Sequence, residues 1–194
     1  MDPASGAESN LEIRTLPWSG PKWLDKLGEL GYRRQYALDY MVAGGEVESV
    51  GSAGEISEVG TDAEAITFAT VQADGFLSNE DQNRDWWINC FREAALRNYK
   101  LSSQSFLLSH IDGNAAAVVL TVDSGSCIGI YAMTTAPQYR GQGLSSDLLA
   151  HVVAKESSNQ GRPIILQVEV GSYAERFYDR LGFEFLFRSG VYKK

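Results

Sequence analysis

The sequence contains little histidine, little cysteine and less positive than negative charge. Two histidines and two cysteines, Cys90 and Cys127, stand among its 194 residues. This scarcity excludes a histidine-rich metal site, so we expect no metal, and it argues against a disulfide framework. The 17 Lys and Arg residues against 25 Asp and Glu residues give a net charge of −8. That deficit argues against a protein that wraps nucleic acid or anchors on anionic lipid.

The sequence also lacks the long apolar runs of membrane proteins. No stretch approaches the roughly 18 apolar residues of a membrane span. Residues 1–6 have no basic region followed by an apolar core, so they do not resemble a signal peptide. We therefore expect a cytoplasmic protein with no membrane partner. Its 44% hydrophobic and 11% aromatic content is ordinary for a globular protein.

The chain is longer than one typical domain needs. A domain takes roughly 150 residues, and the chain has 194. We predict a disordered N-terminus over residues 1–10, an N-terminal extension over 11–54 and one main domain over 55–194. In the extension, Leu30-Gly31-Tyr32 resembles Leu181-Gly182-Phe183, and a predicted strand follows each. The echo is either a common helix–strand joint or the remnant of a tandem ancestor, and a homodimer through the extension stays open.

Apolar periodicity and turn residues predict the elements. They include a hairpin turn at residues 112–114 and a helix from Gly143 with one apolar stripe, formed by Leu144, Leu148, Leu149, Val152 and Val153. From residue 55 the order is β, α, α, β, β, β, α, β, α, β, which implies an α/β fold with a mixed sheet and helices on its faces. The extension adds a strand over 10–14, a helix over 21–30 and a strand over 32–42.

The first two helices of the main domain carry more specific predictions. Thr61 and Glu64 have the spacing of a capping box, and Gly75 is expected to end the helix that they begin. The second helix is predicted over residues 79–98. Its predicted apolar face has Trp86 at its edge, excludes Leu96, and consists of Trp87, Cys90, Phe91 and Ala94.

The most informative stretch is a loop at residues 136–145, between a predicted strand and an amphipathic helix. Gly141 and Gly143 let backbone amides crowd inward without interference from a Cβ. The helix start adds unpaired N–H groups and a partial positive charge, and Arg140 adds a full charge. The loop is therefore either a pyrophosphate site or a glycine-rich turn without a ligand.

This loop resembles that of the GNAT superfamily of N-acetyltransferases, whose pattern Gln/Arg-x-x-Gly-x-Gly/Ala binds the pyrophosphate of acetyl-CoA. Gln138-x-x-Gly141-x-Gly143 fits the pattern literally. Arg140-x-x-Gly143-x-Ser145 fits except for the final serine. We favour the second register because Leu148 and Leu149 then fall at the apolar helix positions of the family.

A second block, Ala-Glu-Arg-Phe-Tyr-Asp-Arg-Leu-Gly-Phe at residues 174–183, resembles the family's Ala-x-x-hydrophobic-Tyr-x-x-hydrophobic-Gly-Phe. The resemblance covers about residues 55–194 and departs from the family at Gly171, where the family usually has Asn. It implies the GNAT acyltransferase fold, a central, mixed and splayed β-sheet flanked by helices, here with an N-terminal helix–strand extension.

The resemblance also implies a chemistry. Acetyl-CoA is the co-substrate, and its pantetheine arm pairs with the backbone of Met133, Thr134 and Thr135. The Met133 amide polarises the thioester carbonyl. A primary amine of a small molecule or peptide attacks directly and is acetylated. The residues implied for the pyrophosphate are Arg140, Gly141, Gln142, Gly143, Leu144 and Ser145.

Two residues are candidates for the proton transfers that such an attack requires. Tyr178 occupies the family's tyrosine position and is predicted to be the acid that protonates the CoA sulfur; the alternative is an aromatic residue packed on the sheet. Glu169, at the end of a predicted strand, is the candidate base; the alternative is a charged residue that faces solvent. Asp123 is a weaker candidate base, and water is another.

Some aromatic residues have two interpretations. Trp86 and Trp87 either line the acceptor site or pack in the interior, with Trp87 the better core candidate. Tyr131 points into the acceptor cleft or into the core, and His110 and His151 are interpreted as structural or surface residues.

Rival functions remain at this stage. Within enzymes they are a protein N-terminal acetyltransferase and transfer of a longer acyl group. The rival that is not an enzyme is a non-catalytic CoA-binding sensor or interaction module. The presence of Tyr178 favours an enzyme over this rival.

Overall fold

A computed structural model describes residues 11–52, 54–159 and 161–194 of the chain, so the predicted disordered segment 1–10 lies outside the described residues. The structure is mixed α/β. In chain order its strands and α-helices are β1 (Ile13–Thr15), α1 (Gly20–Glu29), β2 (Arg33–Ala43), β3 (Glu55–Glu58), α2 (Asp62–Phe76), α3 (Arg84–Asn98), β4 (Gln104–Ile111), β5 (Asn114–Asp123), β6 (Ile128–Thr135), α4 (Leu144–Asn159), β7 (Ile164–Glu169), α5 (Tyr173–Arg180) and β8 (Phe183–Lys193). The predicted order from residue 55 is confirmed, as are the helix and the strand predicted over residues 21–42.

The chain divides into two compact units. The central unit is Ala43–Leu166, and the terminal unit combines the described residues up to Val42 with Gln167–Lys194. The chain therefore passes from one unit to the other within β2 and within β7. The predicted domain boundary at residues 54 and 55 stays a prediction. Among the described helices, none is both long and apolar enough to cross a membrane.

The sheet of the central unit is mostly antiparallel. β3 pairs with β4, β4 with β5 and β5 with β6, all antiparallel. The beginning of β7 is parallel to β6, through the pairs Ile128–Ile164 and Gly129–Ile165. The predicted turn between β4 and β5 is confirmed, and Asp112 and Gly113 have φ of 49° and 76° there, as a two-residue hairpin turn requires.

Helices pack apolar side chains against this sheet. Phe68 of α2 is buried beside Phe106, Leu108 and Val118, and the rings of Phe68 and Phe106 meet edge to face with centroids 4.9 Å apart. On α4 the predicted apolar stripe is confirmed, because all its members are buried: Leu144, Leu148, Leu149, Val152 and Val153. Burial of one such side chain contributes about 1.5–3 kcal/mol. The packing of this stripe therefore fixes α4, including its first turn, in place.

In the terminal unit β1 pairs antiparallel with β8. The Arg188 guanidinium donates to both carboxylate oxygens of Asp39, at 2.6 and 2.7 Å. The ring of Phe187 stacks on Tyr40 with centroids 4.4 Å apart. The Val170 amide donates to the Ala37 carbonyl at 3.0 Å, which ties the end of β7 to β2.

The prediction that Gly75 ends α2 is wrong. The helix continues through Gly75 to Phe76. A Cβ at Gly75 would lie 2.1 Å from Thr134 Oγ1, so the glycine is needed because the helix runs close against β6. The glycine marks a close approach between two elements and not a helix end.

The second predicted helix begins later than expected, and the side of it that faces the core differs from the predicted one. α3 starts at Arg84 because residues 77–83 form turns, in which the Asp81 carboxylate accepts from the Ser78 amide at 2.7 Å. Its core face is shifted by about one residue: Ala95 is buried and Ala94 is exposed. Leu96 consequently packs on the core, and Trp87, predicted as a core residue, is 43% exposed.

Candidate functional site

The loop between β6 and α4 has the backbone that its glycines predict. Gly141 and Gly143 have φ of 78° and 82°, a region that other residues enter only at a cost. The first intrahelical bond of α4 is donated by the Asp147 amide to the Gly143 carbonyl, at 3.0 Å. The amides of Leu144, Ser145 and Ser146 precede that bond, so their N–H groups have no intrahelical acceptor. The helix thus begins with donors and a glycine, which is a suitable arrangement for an anion.

Arg140 and Ser145 hold this loop in place. The Arg140 guanidinium donates from Nε to the Thr135 carbonyl at 3.2 Å and from a terminal nitrogen to the Gly75 carbonyl at 3.0 Å. Ser145 Oγ and Thr135 Oγ1 are 2.7 Å apart. The predicted phosphate-binding arginine therefore also ties the loop to the end of β6 and to α2, and its positive charge stays next to the loop.

The strand before the loop is interrupted by a bulge. β5 and β6 pair at Val118–Thr134 and at Leu120–Tyr131, so β6 has one more residue than β5 between these pairs. Ala132, with φ of 50°, lies in that bulge, and Met133 follows it. Bulges redirect side chains and interrupt pairing. The parallel pairing with β7 ends at Gly129–Ile165, so in the described chain β6 continues to Thr135 beyond its ladder with β7.

A segment before β3 packs on the same helix start, and no pattern in the sequence indicates this contact. We call residues 49–52 the strap. The Asp147 carboxylate of α4 accepts from Ser49 Oγ at 2.7 Å, from the Val50 amide at 2.8 Å and from the Ser52 amide at 2.6 Å. A Cβ at Gly143 would lie 2.3 Å from Val50 Cγ2, whereas a Cβ at Gly141 would meet nothing within 4 Å. Gly143 therefore also makes room for the strap.

The candidate acid and base belong to the terminal unit. Tyr178 on α5 is 7% exposed, and its ring lies 5.3 Å from that of Phe177 and 5.5 Å from that of Phe183. Burial raises the pKa of the Tyr178 phenol, so the group is fully protonated at neutral pH. Glu169 is exposed at the end of β7. Both remain candidates for catalysis.

The connection from β7 to α5 is short and locally closed. Gly171 has φ of 79°, and its amide donates to the Glu175 carboxylate. Ser172 Oγ accepts from the Glu175 amide at 3.1 Å. The first turn of α5 therefore caps itself, with a serine at its N-cap.

Asp123 is a structural residue. Its carboxylate accepts from Arg162 at 2.6 Å and from the Gly125 amide at 2.7 Å. The hydrogen bond from Arg162 lowers the pKa of the Asp123 carboxyl, and the Gly125 amide adds to the effect. Asp123 pairs with Ile128 at the beginning of β6. At about 3.3 Å per residue it lies roughly 16 Å from Met133 along the strand, too far for a base there.

A groove opens beside the bulge, on the face of the sheet that α2 and α3 cover. It has a volume of about 570 Å³. Five elements line it, through Phe76 of α2, Phe91 of α3, Gln104 of β4, Leu120 of β5, and Tyr131 and Ala132 of β6. Tyr131 lines the groove and is 46% exposed. Of its two interpretations, the structure therefore excludes packing in the core.

The remaining sequence candidates lie around the central unit. Trp86 and Trp87 are exposed, with ring centroids 4.6 Å apart. The Trp87 ring lies 5.9 Å from Phe91 of the groove. His151 is exposed on α4, and His110 is partly buried in β4, in keeping with their interpretation as structural or surface residues.

Comparison with known proteins identifies the family. The model of the acetyltransferase (GNAT) domain matches residues 71–193. This range contains the bulge, the glycine loop and the 174–183 block. No curated protein matches the sequence.

Solved structures share the fold at low sequence identity. A functionally unknown conserved protein from Staphylococcus epidermidis is 19% identical, with a TM-score of 0.70, over 90% of this chain and 67% of that one. A GCN5-related N-acetyltransferase from Kribbella flavida is 16% identical, with a TM-score of 0.68, over 95% of this chain and 68% of that one. A tandem GNAT protein from the clavulanic acid biosynthesis pathway is 12% identical, with a TM-score of 0.66, over 94% and 62%.

The match to the family covers well over half of the chain, and the folds of the solved structures agree with it. The predicted GNAT fold is therefore confirmed, and the chain belongs to the GNAT acetyltransferase family.

Proposed function

We propose that the protein is an acetyl-CoA-dependent N-acetyltransferase that moves an acetyl group to a primary amine by direct attack. One observation carries the proposal: the first amides of α4, behind Gly143, have no intrahelical acceptor. The loop before them follows a bulged strand that runs on beyond its ladder with β7. The helix start offers a place for the anionic pyrophosphate of CoA. The edge of the strand offers a place for its long pantetheine arm.

The residues of the loop fit that co-substrate. Gly141 faces open space, so nothing in the described chain fills the place in front of its backbone. Leu144 and Ser145 offer amides, Gln142 offers a side-chain amide, and Arg140 supplies a nearby positive charge. Met133 and Thr134 offer backbone groups along β6. When bound, acetyl-CoA supplies a thioester whose acetyl group an amine takes, with release of the CoA thiol.

Tyr178 is our proposed acid and Glu169 our proposed base. Burial raises the pKa of Tyr178, so the phenol carries its proton at neutral pH and can donate a hydrogen bond to the CoA sulfur as the C–S bond breaks. Glu169 is exposed at the end of β7. Both assignments rest on the family pattern around these positions, and kinetics on single variants tests them.

The decisive experiment measures thiol release from acetyl-CoA in the presence of a panel of primary amines. We expect release that depends on one or more of the amines and an N-acetyl product found by mass spectrometry. Titration calorimetry with CoA runs in parallel. Tight CoA binding without turnover of any amine would contradict the enzyme and favour a CoA-binding sensor. Release of an acyl group from propionyl-CoA at the same rate would contradict the specificity for acetyl.

A further inference from the structure

The groove beside the bulge has a lining without charge. Its nine lining residues, all in the described part of the chain, include no Asp, Glu, Lys, Arg or His. Aromatic and aliphatic side chains form most of it, and the polar members are the three carboxamides Gln72, Asn98 and Gln104 and the Tyr131 hydroxyl. In a protein with a net charge of −8, a site without a single carboxylate differs from the surface as a whole.

Aromatic surface is unusually accessible at this groove. Phe76, at the last residue of α2, is 54% exposed, and Tyr131 is 46% exposed. The Tyr131 ring is held along β6 over Gly129, where a Cβ would lie 2.5 Å from the ring. Trp86 and Trp87 extend the same aromatic surface outward from Phe91. Exposed aromatic side chains that surround a concave site favour an apolar ligand.

The groove reaches the position where the proposed transfer takes place. Ala132 lines it and sits in the bulge, next to Met133. A molecule in the groove therefore has one end at the backbone that we propose for the acetyl group. The volume of about 570 Å³ suits a small molecule and lies within the range of roughly 300–1,000 Å³ that is usual for such sites.

We propose that the acceptor is a small apolar or aromatic amine that carries no charge other than its own ammonium group. This inference rests on the proposed function and names the substrate class of the same site. A polyamine would leave its second ammonium group without a carboxylate, and an amino acid would leave its carboxylate without a cation. Either desolvated charge would cost binding free energy. The single ammonium is accommodated by the aromatic faces, and the carboxamides accept or donate hydrogen bonds with neutral polar groups.

Two matched pairs of amines test the inference. Phenethylamine is compared with phenylalanine, and hexylamine with its diamine counterpart, hexamethylenediamine. We expect kcat/KM with acetyl-CoA to be at least tenfold higher for the first member of each pair. Equal or reversed preference in both pairs, with turnover present, would overturn the substrate class and leave the acetyltransferase function standing.

Two variants connect the preference with the groove. Phe76→Ala is expected to raise KM for phenethylamine at least fivefold and to keep the affinity for CoA within twofold. Gln72→Glu places a carboxylate in the lining and is expected to raise the kcat/KM for hexamethylenediamine relative to that for hexylamine at least fivefold. The matched control is Gln35→Glu, the same change at an exposed position of β2 in the terminal unit, which is expected to leave the ratio unchanged. An unchanged ratio in Gln72→Glu would contradict the proposal.

A binding measurement separates the two proposals if turnover is absent. Calorimetry measures phenethylamine and phenylalanine with the protein in the presence of CoA. Binding of phenethylamine at least tenfold tighter, weakened by Phe76→Ala, supports the groove even where no acetyl group is transferred, and only the proposed function then fails. Absence of this preference in both turnover and binding overturns the groove as a site for an apolar amine.

Discussion

Helices α2 and α4 begin in opposite ways. At the start of α2, Thr61 Oγ1 accepts from the Glu64 amide at 3.2 Å. The Glu64 carboxylate in turn accepts from the amides of Gly60 and Thr61, at 2.9 and 3.0 Å. At the start of α4 stands Gly143, which has no side chain to offer, and the first acidic residue, Asp147, turns to the strap. At α2, side chains of the first turn bond the Glu64 amide and bring a negative charge to the helix start. At α4, no side chain of the described residues caps the first amides in this way.

The difference shows where a ligand can bind. A capping box satisfies the third amide of the helix and places a carboxylate at its positive end, so the start of α2 is already balanced in charge and α2 is a structural element. α5 belongs with α2, since Ser172 caps it and Glu175 accepts from Gly171. Any part that α5 takes in the reaction must then come from a side chain on its length, such as Tyr178. Only at α4, among these three helices, do the backbone and a preceding glycine together favour an anion.

The largest expected effect is at Gly143. Gly143→Leu places a side chain where Val50 already lies and forces a positive φ on a branched residue. We expect it to abolish CoA binding in calorimetry, a loss of more than about 100-fold, or about 2.7 kcal/mol. Affinity retained in this variant would contradict the register Arg140-x-x-Gly143-x-Ser145.

Gly141 provides the matched control, because its φ is nearly the same and the space in front of it is open. Gly141→Leu should bear the backbone strain alone and lose less affinity. Gly143→Ala in a Val50→Ala background separates the strap from the loop, since the contact at 2.3 Å disappears and only ordinary contacts at 3.6 and 3.7 Å remain. Full recovery of CoA binding would mean that Gly143 serves the strap and not the ligand.

The second effect concerns α5, the capped helix. Tyr178→Phe removes one hydroxyl from a buried ring. We expect kcat to fall about 100-fold, the lower end for a general acid, with little change in CoA affinity. Phe177→Leu is the control for altered packing on the same helix. An unchanged kcat would remove Tyr178 from the mechanism and leave α5 as a structural element like α2.

The third effect is at Asp147. Burial alone raises the pKa of this carboxyl, but hydrogen bonds from Ser52, Ser49 and Val50 outweigh it, so the pKa lies below its usual range. Asp147→Asn replaces one acceptor oxygen by a donor facing backbone amides. We expect a loss of about 2 kcal/mol in the free energy of unfolding, since hydrogen bonds to charged groups contribute about 1.5–3 kcal/mol. Faster hydrogen exchange at the Val50 and Ser52 amides would accompany it.

The pH dependence of the strap gives a second test of Asp147. Because the folded-state pKa of Asp147 is lowered, its stabilisation is complete above the ordinary aspartate pKa of about 3.9. It disappears as the pH falls through the lowered pKa. Strap amides should therefore lose protection in acid in the native protein and show no such change in Asp147→Asn. Equal acid sensitivity in both proteins would contradict the role of Asp147.

The features that could be predicted well from sequence depend on short-range patterns. The Thr61–Glu64 spacing, the hairpin turn at Asp112-Gly113 and the stripe of α4 each involve residues within a single helix or one hairpin. The glycine loop is recognisable for the same reason. These local signals are sufficient for the order of the elements from residue 55 and for the family.

The features that could not be predicted depend on distant partners. Asp147 binds residues 95 to 98 positions earlier in the chain, and no periodicity predicts such a contact. Gly75 carries the same local signal whether it ends a helix or admits Thr134. The predicted apolar face of α3 is displaced by one residue from the observed one. Two adjacent alanines look alike in the sequence, and only tertiary packing distinguishes Ala94 from Ala95. The groove requires residues from several elements, which only the tertiary structure brings together.

The smallest expected effect completes the contrast between the two helix starts. Thr61→Ala removes the cap of α2 and leaves the amide of Glu64 without its acceptor. We expect a loss of about 1 kcal/mol in the free energy of unfolding, measured in urea, and Thr61→Ser should recover most of it. CoA binding by calorimetry should stay within twofold, because Thr61 and Glu64 make their capping bonds within the first turn of α2. A large loss of CoA affinity in a folded Thr61→Ala variant would show that α2 and α4 are not distinct in kind, and the comparison would then fail.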